Sequence, residues 1–319
     1  MIPFIVSLDS NPDPMLTGLL LGLSRGEFKR NGLDVQIRIN TQTGASNQAL
    51  MQVASQEVSL AVASSMALFK FHLSPFKVPL KAVAAPVQDN FYAFATIQKE
   101  QESLLHNPGL SRVGLSNHQD VDRLFNRMFG GVSDISEMVR FVPTEGLSDI
   151  ERNHVDFLFV NTAWDVFIAK EKGLDLTVHP WPEEDLRFAY TPVYVAHPAM
   201  LDLYKSQYNL FFSIADAHYC EASHNPLQIA KELHWAYKDT YPYFDNLELL
   251  QESMQYMARS FVDDQGRWGC MKLNYWQEMV LLQKRMIKDR HFGEEELCEC
   301  HLSSYSGELF SNSYLPYDL

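Results

Sequence analysis

Residues 7–37, SLDSNPDPMLTGLLLGLSRGEFKRNGLDVQI, decide the fold class. The apolar run Pro3 to Leu8 leads into Asp9-Ser10-Asn11-Pro12-Asp13-Pro14, six residues dense in turn formers. Leu16, Leu19, Leu20 and Leu23 then recur at helical spacing, and Asn31-Gly32 supplies a left-handed helix stop. Val35, Ile37 and Ile39 alternate with Gln36 and Arg38, the pattern of a half-buried strand. The unit is strand, loop, helix, strand.

Working outward, the order repeats. A helix is predicted around Ser46 to Ser55, a strand at Ser59 to Val62, a helix from Ser65 to Leu73 and a strand at Leu80 to Pro86. Strand alternating with helix predicts an α/β fold with largely parallel sheets flanked by helices. Further strands are predicted at Phe91 to Ile97, Arg112 to Ser116, Phe141 to Pro143, Phe157 to Val160 and Leu176 to His179. Val121, Leu124, Phe125 and Met128 mark one helical face, and a helix is expected near Trp164 to Lys172. Tyr190 to Ala196 reads as a strand interrupted by Pro192, which argues for a sheet edge or a crossover. Beyond Pro198 the chain reads as mostly helical to about His291, with a Ser/Tyr-rich tail from His301 expected on the surface.

Composition sets limits on function. The 319 residues are 46% hydrophobic and 21% charged, enough apolar material for a core and incompatible with disorder throughout. Lys plus Arg number 26 against 40 Asp plus Glu, a formal charge of −14 without a basic patch, which argues against nucleic acid and anionic lipid as partners. The longest apolar uncharged run, Phe188 to Leu201, carries two prolines and falls short of a membrane span, so no membrane insertion is expected. The first basic residue is Arg25, so no signal-peptide pattern opens the chain. The expectation is a cytoplasmic protein as supplied, or a periplasmic or extracellular one if the chain was trimmed. Four cysteines do not make a disulfide scaffold.

The polar loops after strands are the candidate site. In open α/β sheets ligands settle at the carboxyl ends of strands, where Asp9, Ser10 and Asn11 are expected. Ser64-Ser65 and Ser116-Asn117-His118 are further strand-to-helix junctions, whose hydroxyls and free N–H groups suit anionic oxygens and equally suit ordinary N-capping. Asn90-Phe91-Tyr92 and Asn161 with Trp164 join amides to aromatics, a way to stack a planar ligand and fix its edge, although such aromatics also serve as core. Cys298-Glu299-Cys300-His301 lacks the second ligand pair of a closed zinc site, so no metal is expected. GxGxxG, P-loop, GxSxG and HExxH signatures are absent.

Gly26-Glu27-Phe28-Lys29 and Gly32-Leu33-Asp34-Val35, with the loop before them, resemble the opening of type II periplasmic-binding-protein-like proteins. The resemblance is to the branch uniting aliphatic-sulfonate and nitrate binding proteins with the yeast thiamine-pyrimidine synthase. Asp264-Gln265-Gly266-Arg267-Trp268-Gly269, followed by Trp276, is similar to the C-terminal helical part of thiamine-pyrimidine binding proteins. The resemblance implies a two-lobed venus-flytrap fold. Lobe one would be 1–89 plus 195–319 and lobe two 90–194, with chain crossings near Asp89-Asn90 and Tyr194-Val195 and a ligand held between lobes by hinge closure.

Departures from the branch bear on chemistry. The yeast-type synthase carries Lys-x-x-x-His after its third strand, the lysine for pyridoxal phosphate and the histidine as its own substrate. Here the junction reads Ala63-Ser64-Ser65-Met66-Ala67, and Lys70 and His72 are displaced and wrongly spaced. The cysteine-rich run of the synthase has no counterpart near Phe188 to Tyr194, and its Asn-Trp is Asp9-Ser10. The resulting expectation is a solute-binding protein without a cofactor, holding a small polar ligand of thiamine-pyrimidine type, with an ABC transporter permease as partner if exported. The alternatives are an enzyme of thiamine-pyrimidine synthesis using other residues, or a folded relic or intracellular interaction protein on the same scaffold.

Overall fold

The computed structural model describes residues 3–40, 45–74, 78–97, 111–115, 125, 128–129, 139–179, 181, 190–288 and 306–317, without the side chains of 45–46, 115 and 282–288. The chain forms two compact units. Unit one takes the described residues of Met1–Asn90, Arg187–Val280 and Glu295–Leu319; unit two takes those of Phe91–Leu186 and Leu281–Glu294. Each has its own five-stranded mixed sheet flanked by helices, the α/β class expected.

Unit one is built from β1 (Pro3–Leu8), β2 (Asp34–Ile39), β3 (Leu60–Ala63) and β4 (Lys81–Ala84), with the helices α1 (Thr17–Ser24), α2 (Glu27–Arg30), α3 (Ala45–Ala54) and α4 (Ser65–His72) between them. The late strand Val193–Ala196 enters between β3 and β4, antiparallel to both, giving the order β2-β1-β3-late strand-β4. β1 pairs in parallel with β2 and β3, with Leu8 level with Ile39 and Val62. The carboxyl ends of β1 to β4 and the amino end of the late strand therefore share one sheet edge.

Alternation along β1 explains how both faces are covered. Phe4, Val6 and Leu8 point to one face, where Phe4 stacks on Phe211 (5.0 Å) of the long helix Lys205–His224, and Phe28 of α2 stacks on the same ring (5.2 Å). Ser7 points the other way and donates to Gln52 Oε1 of α3 at 2.6 Å. Phe211 is fully buried, and such an aromatic carries about 3–5 kcal/mol against truncation to alanine.

Two expectations are corrected in this unit. Pro192, joined to Thr191 by a cis bond, marks neither an interruption nor an edge: the strand begins one residue later and is paired on both sides. Its missing N–H falls outside the ladder, so an interior strand tolerates it. The tail is not wholly on the surface either. Leu309 and Leu315 are buried, and Phe310 bridges in parallel to Ala82 of β4, with Ala82 donating to Leu309 and Ser311 donating to Ala82 (2.9 Å each). Phe310 also stacks flat on Trp276 at 5.7 Å.

Unit two has β5 (Tyr92–Ile97), β6 (Arg112–Leu115), β7 (Arg140–Pro143), β8 (Phe157–Asn161) and β9 (Leu176–His179), ordered β7-β6-β8-β5-β9. One face carries Phe94, Phe125, Phe129, Phe157 and Phe159 in mutual edge or tilted contact. The other packs Ala95, Leu158 and Val160 against Leu147, Ile150 and Ala169 of the helices Leu147–Glu151 and Asp165–Glu171. Of the predicted helical face, Phe125 is fully buried and Met128 half-buried, while Val121 and Leu124 lie outside the described residues.

Candidate functional site

The carboxyl edge of the unit-one sheet gathers the polar residues. Asp9 follows β1 directly and is half-buried; Ser10 and Asn11 are exposed beyond it. The ladder ends with Leu8 level with Ile39 and Val62, so Asp9, Asn40 and Ser64 follow the carboxyl ends of neighbouring strands. Asn40 is buried and fixes the loop from beneath, donating to Ser7 Oγ and to the Leu8 carbonyl at 2.8 Å each. Ser64 caps α4, its hydroxyl accepting from Ala67 N at 3.0 Å. Ser65 is fully buried, its hydroxyl 3.4 Å from that of Thr191 before the late strand.

Sequence pattern marks Asp13 only as a turn former. Its Oδ1 accepts from Met15 N at 2.8 Å, capping the short 3-10 turn Pro14–Leu16 that leads into α1. The residue is half-buried, and burial, opposed by the Met15 N–H and reinforced by the Asp9 charge, lifts its pKa to about 7. Two phenols rise beneath this turn. Tyr219 donates to the Met15 carbonyl at 2.7 Å, and the hydroxyl of Tyr194 is fully buried without a hydrogen-bond partner among the described residues. Burial holds both phenols well above the usual range, and each feels the Asp13 charge.

The carboxyl edge of unit two brings together a second group. Tyr92 pairs with Asn161 in the ladder, and the Phe91 carbonyl accepts from Thr162 N (2.6 Å) and Oγ1 (3.0 Å). Asn161 Oδ1 accepts from Ala163 N at 3.0 Å, and the Asn161 N–H donates to Asp165 Oδ2 at 2.7 Å. Burial raises the Asp165 carboxyl to about 6 against that bond. Phe91 and Trp164 are buried, while Tyr92 is half-buried and stacks on Phe159 at 5.7 Å. Asn90 is half-buried at the end of its unit-one segment. Ser116, Asn117 and His118 lie outside the described residues, as do Cys298, Glu299, Cys300 and His301. Among the described residues no group of three acidic, His or Cys side chains could hold a metal ion, and no helix is long and apolar enough to cross a membrane.

Lys70 and His72 do not fit the Lys-x-x-x-His arrangement of the yeast-type synthase. Both fall in the last turn of α4, which starts at the carboxyl edge and runs back toward the other one. His72 meets the Leu80 carbonyl through Nε2 at 2.6 Å, just before β4 begins, and burial lowers its pKa. An eight-residue helix is about 12 Å long, which separates this histidine from the polar edge. A cavity of about 570 Å³, lined by Pro3, Phe4, Gln56, Ser59 and Tyr208 among others, also opens at the amino ends of β1 and β3 and is not the polar edge.

These features define a protein with the generic periplasmic-binding-protein fold. Similar solved structures are the periplasmic nitrate-binding protein of Synechocystis PCC 6803 (8% identity, 98% of this chain and 86% of that one, TM-score 0.68) and the periplasmic aliphatic sulphonate binding protein of Escherichia coli (9%, 89% and 88%, TM-score 0.61). A Candida albicans gene product described as exhibiting the same generic fold is 13% identical over 100% of this chain and 99% of its own (TM-score 0.63). The chain belongs to the NMT1/THI5-like family, whose profile matches residues 13–229. No curated protein matches it by sequence.

Proposed function

We propose that the protein is a solute-binding protein that captures a small polar molecule at the carboxyl edge of its unit-one sheet, with no bond made or broken. The observation that carries this reading is the convergence of Asp9, Ser10 and Ser64 on one edge above a buried, hydrogen-bonded floor. Nitrate and sulphonate binding by proteins of the same fold supports it. Asp9 favours a ligand with a donor edge over a naked anion, so the finer proposal is an aminopyrimidine of the thiamine-pyrimidine type. Membership of the family is consistent with that class. If the chain is exported, a transporter permease is the proposed partner.

The site is further proposed to work without pyridoxal phosphate, because Ser64, Ser65 and Met66 occupy the junction and His72 faces Leu80. A thermal-shift screen against aminopyrimidines, riboflavin, nitrate and alkanesulfonates tests the reading. A ligand at 100 times its dissociation constant adds about 2.7 kcal/mol of stability. Stabilisation by an aminopyrimidine supports the finer proposal, stabilisation by an anion alone supports only the coarser one, and no stabilisation by any of them overturns both. A borohydride-reducible visible chromophore in the purified protein would overturn the cofactor reading.

A further inference from the structure

The cavity of about 570 Å³ at the amino ends of β1 and β3 is lined wholly by unit-one residues. The length of β1, roughly 17 Å, separates it from the polar edge. Small-molecule sites span about 300–1,000 Å³, so the space is of ligand size. Its floor is built of buried Phe4, Leu33, Val58 and Tyr208. The Tyr208 ring meets Phe4 edge-on at 5.1 Å, and its hydroxyl donates to the Ser59 carbonyl at 2.6 Å, which pins the ring. The rim is polar. The side chains of Gln56, Ser59 and Tyr204 line it and make no hydrogen bond among the described residues. Glu57, the only charged residue among those lining the cavity, is paired with Arg38 at 2.8 Å.

Gln56 supplies a second observation. It lies two residues past α3 with φ +61°, in the left-handed region that glycine enters freely and other residues seldom do. Its N–H donates to the Val53 carbonyl at 2.9 Å, closing the helix. The same turn, two residues past α2 and past the helix Asp165–Glu171, is made by Gly32 and Gly173, each donating to the carbonyl three residues back at 3.0 Å. Glycine would relieve the backbone after α3 as well, but would remove an amide from the rim. A strained conformation kept where the easier residue would delete a cavity-lining group points to a use for that group.

We propose that this cavity is a second ligand site, taking an uncharged planar heteroaromatic molecule whose apolar rings cover the Phe4–Tyr208 floor and whose lactam-like edge pairs with the Gln56 amide. A primary amide offers one N–H and one carbonyl side by side, which match the carbonyl and N–H of a lactam. An anion would meet Glu57 and no cation among the lining residues, so the site selects against it. The inference is independent of solute binding at the carboxyl edge and stands or falls without it.

The probe is 2-quinolone, a fused benzene and lactam without charge. An NMR titration should show saturable binding with a dissociation constant of about 1 mM or below, as suits a fragment of this size. The backbone amides of Val58 and Ser59 should shift, and those of Ser10 and Ser64 should not. Gln56→Gly should weaken the probe about tenfold or more while the melting temperature holds or rises, a combination that a merely structural glutamine would not give. Met200→Trp, which fills the cavity from the helix Pro198–Leu203, should abolish binding. Quinoline-2-carboxylate, the same rings with a negative charge, should bind about tenfold more weakly or not at all. Absence of saturable 2-quinolone binding, wild-type affinity in Gln56→Gly, equal affinity for the carboxylate, or shifts centred on Ser10 and Ser64 would each overturn the inference. None of these results bears on the thermal-shift screen, whose ligands are read at the opposite edge of the sheet.

Discussion

Gly18 of α1 and Tyr219 of the helix Lys205–His224 touch so closely that a Cβ on the glycine would stand 2.3 Å from the tyrosine ring. The ring cannot easily retreat: it stacks on Trp268 at 4.6 Å and 9°, and its hydroxyl is bound to Met15. Gly18→Ala should therefore destabilise the protein by about 1–3 kcal/mol, the usual cost of overpacking a filled core. The check is a urea titration at constant m-value. Unchanged stability would mean that the two helices separate freely.

Asp13 gives stability a pH dependence of defined sign. Its carboxyl titrates near 3.8 in an unfolded chain and near 7 in the fold, so the folded state binds more protons between these values. The stability it contributes is complete below about pH 4 and is lost as pH rises through 7. Asp13→Asn, which keeps the cap without a charge, should be more stable than wild type at pH 8, on the order of 1–3 kcal/mol. At pH 4 the gain should vanish. Equal differences at both pH values would show that the carboxyl titrates normally.

Removing the Asp9 charge tests the binding edge itself. A charge-assisted hydrogen bond is worth roughly 1.5–3 kcal/mol, so Asp9→Asn should weaken the screened ligand about tenfold or more while the free protein keeps its melting temperature. Calorimetry with that ligand reads the first quantity and calorimetric melting the second. An unaltered affinity would assign Asp9 to the turn alone.

Arg25, after the end of α1, donates to Glu221 through both terminal nitrogens (2.6 and 3.0 Å) and to Glu232 at 2.8 Å. Its third contact, to His218 Nδ1 at 3.3 Å, requires that nitrogen to accept and leaves Nε2 facing Glu27 at 3.4 Å. Arg25→Ala strands two carboxylates together and should cost about 1–3 kcal/mol. Arg25→Lys should recover only part, since an ammonium cannot make the paired contact. Full recovery by lysine, measured by denaturant unfolding, would reduce the cluster to simple charge neutralisation. The arginine holds the Glu221 carboxyl below its usual range, so this contribution is present at neutral pH and lost on acidification.

Asn312 clasps Met271, accepting from its N–H at 3.0 Å and donating to its carbonyl at 2.9 Å. Asn312→Ala leaves both of these backbone groups without their partner and should cost about 1–3 kcal/mol. Asn312→Asp should restore only the bond to the N–H. Hydrogen exchange at Met271 N, faster in the alanine variant, checks the local origin of the loss.

The first ninety residues are legible because their order is local: alternating Val35, Ile37 and Ile39, spaced leucines and the Asn31-Gly32 stop report directly on strand, helix and turn. The placement of Asp9 at a strand end follows from the same pattern. The environment of Asp13 does not, since two phenols that feel its charge, Tyr194 and Tyr219, are some 180 and 206 residues away in the chain. No spacing rule links them. Phe91 and Trp164 show the opposite limit: their composition suits ligand stacking, yet packing takes them into the core of unit two. The Ser/Tyr-rich tail misleads for a related reason, because two buried leucines and a backbone ladder to Ala82 outweigh the polarity around them.

The pairing of Phe310 with Ala82 has a consequence during synthesis. β4 waits for its inner neighbour, the strand Val193–Ala196, and then for residues 309–311 on its outer side. A nascent chain that has emerged only as far as β4 therefore exposes the backbone of Lys81–Ala84 on both flanks, a template for pairing with other chains. The described strands of unit two lie within residues 92–179, so its sheet can complete before the tail that flanks β4 has emerged. The order of maturation thus runs from the middle of the chain outward, and the unit that begins first is the one that finishes last.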